Sequence, residues 1–246
     1  SDVCSSDLRF FGREGETRQM LERLHAHPLL TVIGPSGSGK SSLVFAGLIP
    51  QLRESSLFAG INWKVLTLRP GSKPMNQLES LLKLDPSNPA ESIELLLLDQ
   101  GANSKLLLVI DQFEELFSLD SDPEEVFQNS IKSLLQATNL YLVITVRADF
   151  YAEIMRSPLW NDIQSSRLEI TPLKDAGLRD AIEKPAELVG VFVEPALVER
   201  LIADAAGEPG ALPLVQETLV LMWDKIERRY LPLRAYEALV ISMGAY

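Results

Sequence analysis

The 246 residues hold one cysteine and two histidines. Cys4 alone excludes an internal disulfide framework and fits a reducing compartment. Two histidines and one cysteine cannot build a protein zinc site, and a Ser-His-Asp set has little to draw on. Basic residues are scarce too: 23 Lys and Arg face 34 Asp and Glu, a net charge of −11. That balance argues against a nucleic-acid groove, which needs a basic face, and is better read as a solubility device. No apolar run approaches the ~18–20 residues of a membrane span. The N-terminus lacks the basic and apolar regions of a signal peptide. The expectation is a soluble, cytoplasmic protein with neither a nucleic-acid nor a membrane partner.

What is present is a core and one loud motif. Apolar residues make up 46% of the chain, ample for a packed interior. Gly34, Pro35, Ser36, Gly37, Ser38, Gly39, Lys40, Ser41 and Ser42 contain the phosphate-binding pattern G-x-x-x-x-G-K-[ST]. Its context fits. Leu29 to Ile33 reads as a buried strand, and Ser42 to Leu52 carries apolar residues at helical spacing. A strand, a glycine-rich turn and a helix start aim several backbone N–H groups at one point, which suits a triphosphate. Lys40 would reach the β- and γ-phosphates, and the Ser41 hydroxyl would ligate Mg²⁺.

Strands and helices alternate along the chain. Helical spacing marks 13–25, 75–82, 90–98 and 123–137; the last should turn Val126, Ile131, Leu134 and Leu135 inward. Further strands are expected at 63–68, 106–110, 140–146 and 167–171. Beyond Pro172 the signals are helical only, at 176–188, 195–205 and 212–229. The fold class is α/β: a P-loop domain with a five-stranded, mainly parallel sheet, then a small α-helical lid. The run Leu95 to Leu98 reads as a buried helix face, and Trp63, Trp160 and Trp223 as packing residues. His25 and His27 read as partners of a helix C-terminus.

The strand Leu106 to Ile110 ends in Asp111, the pattern of a carboxylate that holds Mg²⁺ through its water shell. Glu114 and Glu115 follow within a turn. Three clustered acids repel unless a cation or a catalytic duty compensates. One of the glutamates would orient the attacking water, Glu114 first and Glu115 as the alternative, unless they simply favour the next helix start. The fourth strand ends in Arg147. If that strand lies between the P-loop strand and the Asp111 strand, Arg147 faces the γ-phosphate position and can sense it.

Five stretches in order carry a family resemblance: Phe10-Phe11-Gly12-Arg13-Glu14-x-Glu16; the P-loop running on to Ala-Gly-Leu-Ile-Pro; Asp-Gln-Phe-Glu-Glu-Leu-Phe; Val-Arg-Ala-Asp-Phe-Tyr; and Pro-Gly-Ala-Leu-Pro-Leu. Over about residues 9–240 the chain resembles the novel STAND NTPases, bacterial signal-transduction ATPases related to NACHT and NB-ARC proteins. The resemblance implies that Phe11, Gly12 and Arg13 lie against the adenine. It also implies that Glu114 is the displaced catalytic acid, Arg147 the sensor, and Pro213 the lid residue that approaches the nucleotide. The sheet would be of the additional-strand, AAA-like class.

The domain reading is a P-loop domain over 9–171, a lid over 172–232, and at 233–246 the truncated start of a further region. Residues 1–8 match nothing in the family and read as an unrelated, artefactual leader. Such proteins continue into a winged-helix region and a sensor, often a WD-repeat array, so the chain resembles a switch without its sensor. The implied activity is slow hydrolysis of Mg·ATP to ADP that controls self-association of the fuller protein, in bacterial stress or antiviral signalling. A mechanical AAA-like ATPase and a non-hydrolysing ATP-holding scaffold stand as alternatives.

Overall fold

The computed structural model describes residues 11–83, 88–118, 121–206 and 211–243, without the side chains of 121–123, 211, 242 and 243. The leader at 1–8, Phe10, most of the turn at 85–89, Gly210 and the last three residues lie outside the described residues. The elements run α1 (Glu14–Ala26), β1 (Leu29–Gly34), α2 (Lys40–Ser42), a π-helical turn (Leu43–Leu48), α3 (Ile49–Glu54), β2 (Asn62–Leu68), α4 (Pro74–Leu82) and α5 (Pro89–Leu97). They continue with β3 (Ser104–Ile110), α6 (Ser121–Leu134), β4 (Leu140–Arg147), α7 (Tyr151–Arg156), α8 (Trp160–Ser166) and β5 (Arg167–Glu169). The last group is α9 (Asp175–Leu188), β6 (Phe192–Val193), α10 (Pro195–Ala205), α11 (Ala211–Met222), β7 (Tyr230–Leu231) and α12 (Leu233–Met243).

The chain divides into two compact units. One comprises residues 15–34 and 48–170; the other joins 1–14, 35–47 and 171–246.

The first unit is built on a five-stranded sheet in the order β2-β3-β4-β1-β5. Every neighbouring pair is parallel. Parallel strands covered by helices on both faces need apolar residues at successive positions rather than alternating ones. β3 meets that demand: Leu106 to Ile110 are all inaccessible to solvent. Each fully buried aliphatic side chain of this kind contributes about 1.5–3 kcal/mol. The fourth strand does lie between the P-loop strand and the Asp111 strand, as the additional-strand class requires. On α6 the inward residue is Phe127, not Val126, whose side chain is exposed. Leu95 and Leu98 also face solvent, and only Leu97 of that run is buried. On α6 the rest of the expected face holds, with Ile131 and Leu134 buried and Leu135 packed against the core; only the choice between the adjacent apolar residues Val126 and Phe127 was left undetermined by the spacing.

In the second unit, Leu178, Ile182, Leu197, Val198, Leu201 and Met222 form the centre of a helical core. Leu233, Tyr236 and Leu239 of α12 pack against it. The expectation of helices alone needs one correction. Phe192 pairs with Tyr230 and Val193 with Leu231 in a two-stranded parallel sheet. Two residues give no alternation to read, so only the folded chain reveals it.

Candidate functional site

The P-loop residues after Gly34 belong to the second unit. Gly37 (φ 69°) and Gly39 (φ 85°) adopt left-handed backbone that β-carbon-bearing residues avoid. The Ser38 N–H donates to the Pro35 carbonyl at 3.3 Å, and the Leu43 N–H to the Gly39 carbonyl at 2.8 Å. Lys40 is buried, and its Nζ donates to the Pro35 carbonyl at 2.8 Å. The helix beginning at Lys40 widens into its π-helical turn at Leu43–Leu48. Pro50 accounts for this: it has no N–H to donate, and its ring presses on the carbonyl one turn back.

The Phe-Gly-Arg element is joined to this loop by Arg13, not by surface contact. Arg13 is 1% exposed. Its Nη2 donates to the Ser38 carbonyl at 2.9 Å and to the Thr171 carbonyl at 2.7 Å. Gly12 has φ 80°, and a β-carbon there would lie 2.4 Å from the Gly177 carbonyl oxygen on α9. Phe11 stacks under the Lys184 ammonium, 5.8 Å from its ring centre. From α11, Leu212 approaches so closely that a β-carbon on Gly39 would lie 3.1 Å from its Cδ2. Pro213, the next residue, is exposed on the first turn of α11.

The acids belong to the sheet unit. Parallel pairing sets Ile110 beside both Leu68 and Ile144, so the residues that follow these three strand positions converge. Asp111 is 1% exposed. Its Oδ1 accepts the Thr145 hydroxyl at 2.7 Å, and its Oδ2 accepts Nε and Nη2 of Arg69 at 3.2 and 3.0 Å. The Gln112 N–H donates to the Thr145 oxygen at 3.0 Å, with Gln112 itself at φ 58°. Glu114 accepts the Arg147 N–H at 3.2 Å, which places it at the end of β4. Glu115 accepts the Gly71 N–H at 2.9 Å and so ties down the loop after β2. The Arg147 guanidinium pairs with Asp149 and lies 5.7 Å from the Phe150 ring centre.

The sheet unit therefore gathers Asp111, Glu114 and Arg147; the other unit gathers Gly12, Arg13, the P-loop and the start of α11. Sequence reasoning gave no role to Arg69 or Thr145. The available signal was positional, since both sit where a strand paired in parallel with β3 or β4 ends or is about to end. The chemistry suits a nucleotide. Left-handed glycines, a lysine and a helix start make an anion nest in one unit; Ser41 there, and Asp111 in the sheet unit, are each hard oxygen donors of the kind Mg²⁺ takes.

A strand–glycine loop–helix unit with an additional strand beside β1 defines a P-loop NTPase of the AAA-like class. Solved structures share that fold. Drosophila ORC bound to DNA is 15% identical with a TM-score of 0.65, over 99% of this chain and 64% of that one. The Aeropyrum pernix ORC1 protein in complex with DNA is 16% identical with a TM-score of 0.66, over 94% and 65%. A Walker-type ATPase of Pyrococcus abyssi is 18% identical with a TM-score of 0.54, over 84% and 67%. The chain thus spans just under two thirds of the first two proteins. None of the curated proteins compared with it matches in sequence. Residues 5–245 match the novel STAND NTPase 1 family, and the chain belongs to it. Among the described residues no helix is long and apolar enough to cross a membrane.

Proposed function

We propose that this chain is a STAND-type regulatory ATPase, a switch between ATP and ADP forms that is reset by slow hydrolysis. The observation that carries the reading is Leu212 against Gly39. The lid motif and the P-loop meet within one unit, so a phosphate on the loop bears directly on the helices. The P-loop N–H groups and Lys40 hold the phosphates, Arg13 fixes the loop backbone, and Phe11 and Gly12 border the base. Pro213 presents the start of α11 to the nucleotide. Mg²⁺, held by Ser41 and through water by Asp111, would neutralise developing phosphate charge. Glu114 orients the attacking water and Arg147 senses the γ-phosphate. Each glutamate accepts one backbone N–H, Glu115 that of Gly71 in the loop after β2 and Glu114 that of Arg147, and the place beside Arg147 supports Glu114 for the task.

The proposed division is a P-loop domain at 9–171, a lid at 172–232 and the start of a following region at 233–246. In the fuller protein the switch would control self-association under a C-terminal sensor such as a WD-repeat array, in cytoplasmic bacterial stress or antiviral signalling. The net charge of −11 supports a role without nucleic acid, unlike the DNA-bound relatives of its fold. Single-turnover hydrolysis with Mg·ATP tests the ATPase reading. The wild-type chain should convert bound ATP to ADP. Lys40→Ala should bind ATP roughly tenfold to a hundredfold more weakly, for a charge-assisted contact of about 1.5–3 kcal/mol. Hydrogen exchange tests the switch. Residues 172–232 should be better protected with ADP than without nucleotide, because only differential affinity shifts a two-state equilibrium. Bound ATP that is never cleaved would leave a scaffold, and equal exchange would remove the switch.

A further inference from the structure

Asp111 already has a cation. Two N–H groups of Arg69 converge on its Oδ2, at 3.2 and 3.0 Å. The partners differ sharply in exposure: the Asp111 side chain is 2% accessible and that of Arg69 is 60%. The other oxygen is held from inside the sheet by Thr145, which is fully buried. The Thr145 hydroxyl spends its one proton on Asp111 while accepting from the Gln112 N–H. The carboxylate is therefore fixed from beneath by a neutral donor and covered from the solvent side by a guanidinium. The loop carrying Arg69 is itself pinned, since Glu115 accepts the Gly71 N–H at 2.9 Å. Gly71 turns there with φ 54°, a conformation that favours glycine.

We propose that Arg69 competes with the metal for Asp111: the guanidinium holds Oδ2 and must release it as Mg²⁺ binds, so Arg69 sets the Mg²⁺ concentration at which the nucleotide site fills. The proposal rests on the reading of Asp111 as the metal-holding carboxylate. The reason is elementary. A buried carboxylate needs a positive partner, and a guanidinium and a hydrated Mg²⁺ that draw on the same carboxylate repel each other. An exposed arginine on a pinned loop meets both requirements, because it neutralises the acid yet has solvent to move into. Thr145 stays behind and keeps Asp111 aimed throughout the exchange. Arg69 is thus a positioning residue whose release is coupled to filling of the site, and Glu115 limits how far its loop can travel.

The test is calorimetric titration of the intact chain with the imido analogue of ATP at stepped Mg²⁺ concentrations. Arg69→Gln keeps a polar side chain, shorter than arginine, and removes the charge. It should lower the half-saturating Mg²⁺ roughly tenfold, the effect of losing one opposing unit charge. Damage to the fold would weaken binding, so a gain of this kind separates competition from a merely structural role. Arg69→Lys keeps the charge without the two-pronged donor and should fall between, and it serves if the glutamine variant does not fold. Asp111→Asn should abolish the difference between Arg and Gln at position 69. Wild-type binding that depends on Mg²⁺, with a half-saturating concentration unchanged or raised in both position-69 variants, would overturn the competition alone. Wild-type binding indifferent to Mg²⁺ would overturn the metal reading of Asp111 and this proposal with it.

Discussion

A single methyl group at residue 12 should destabilise the helical unit, whereas one at residue 15 should strengthen α1. Gly12 has φ 80°, and its added β-carbon would lie 2.4 Å from the backbone oxygen of Gly177. Left-handed backbone costs an alanine about 1–2 kcal/mol. The oxygen belongs to the first turn of α9 and cannot rotate away, so the helix must retreat, at an overpacking cost of about 1–3 kcal/mol. Gly12→Ala should therefore destabilise by about 2–5 kcal/mol, a large share of the ~5–15 kcal/mol that a domain has. Gly177→Ala should be milder. Its β-carbon meets the flexible end of Leu173 at 2.6 Å and the Gly12 oxygen at 3.1 Å. Gly15 sits on the first turn of α1 with nothing within 4 Å of an added β-carbon. Gly15→Ala should stabilise by up to about 1 kcal/mol through helix propensity. Urea denaturation followed by circular dichroism would rank the three. Gly12→Ala within about 0.5 kcal/mol of wild type, the ordinary range for a surface change, would refute the backbone-to-backbone packing argument.

The paired glutamates separate cleanly by substitution. Glu114→Gln should retain nucleotide yet slow single-turnover hydrolysis by about 10²–10⁴-fold, the usual size of lost general-base help. Glu115→Gln still offers Gly71 an acceptor and should hydrolyse at near the wild-type rate; the opposite pattern would exchange the two assignments. Acid should act on the helical unit through Asp204. Its carboxyl is held below the ordinary range chiefly by the hydrogen bond from Arg200, which outweighs the opposing effect of burial, with a lesser contribution from Tyr236. A depressed carboxylate pKa stabilises the fold above the unfolded value, and that stability is lost as pH falls through the folded one. Asp204→Asn should therefore flatten the loss of unfolding midpoint below about pH 4, the ordinary carboxylate range. An unchanged slope would count against the pairing.

Much of the sheet was legible because β1, β3 and β4 are continuous apolar runs, and the P-loop because its glycines serve a backbone need that no other residue meets. The ends of those runs also announced Asp111 and Arg147. What stayed hidden depends on register. Arg69 closes β2 as part of an Arg-Pro-Gly turn that looks like punctuation. Only the pairing of Leu68 with Ile110 brings it to Asp111. The Arg13 guanidinium is buried on two carbonyls, a duty that leaves no local pattern. The short helices α7 and α8 and the strands β6 and β7 fall below the length at which periodicity can be counted.

The pairing of β6 with β7 makes the helical unit a structure completed late. Leu231 belongs to the same core as Leu178 and Leu197, and its strand partner, Val193, precedes it by two helices. A ribosome delivers about 5–20 residues per second, so Val193 waits on the order of seconds for Leu231 to emerge. Through that interval α9 and α10 have each other but lack Leu231 to complete the core they share. The β-pair is in this sense a timing element. It ties the moment the lid becomes whole to the synthesis of a dipeptide near the end of the unit, well after the phosphate loop has been made.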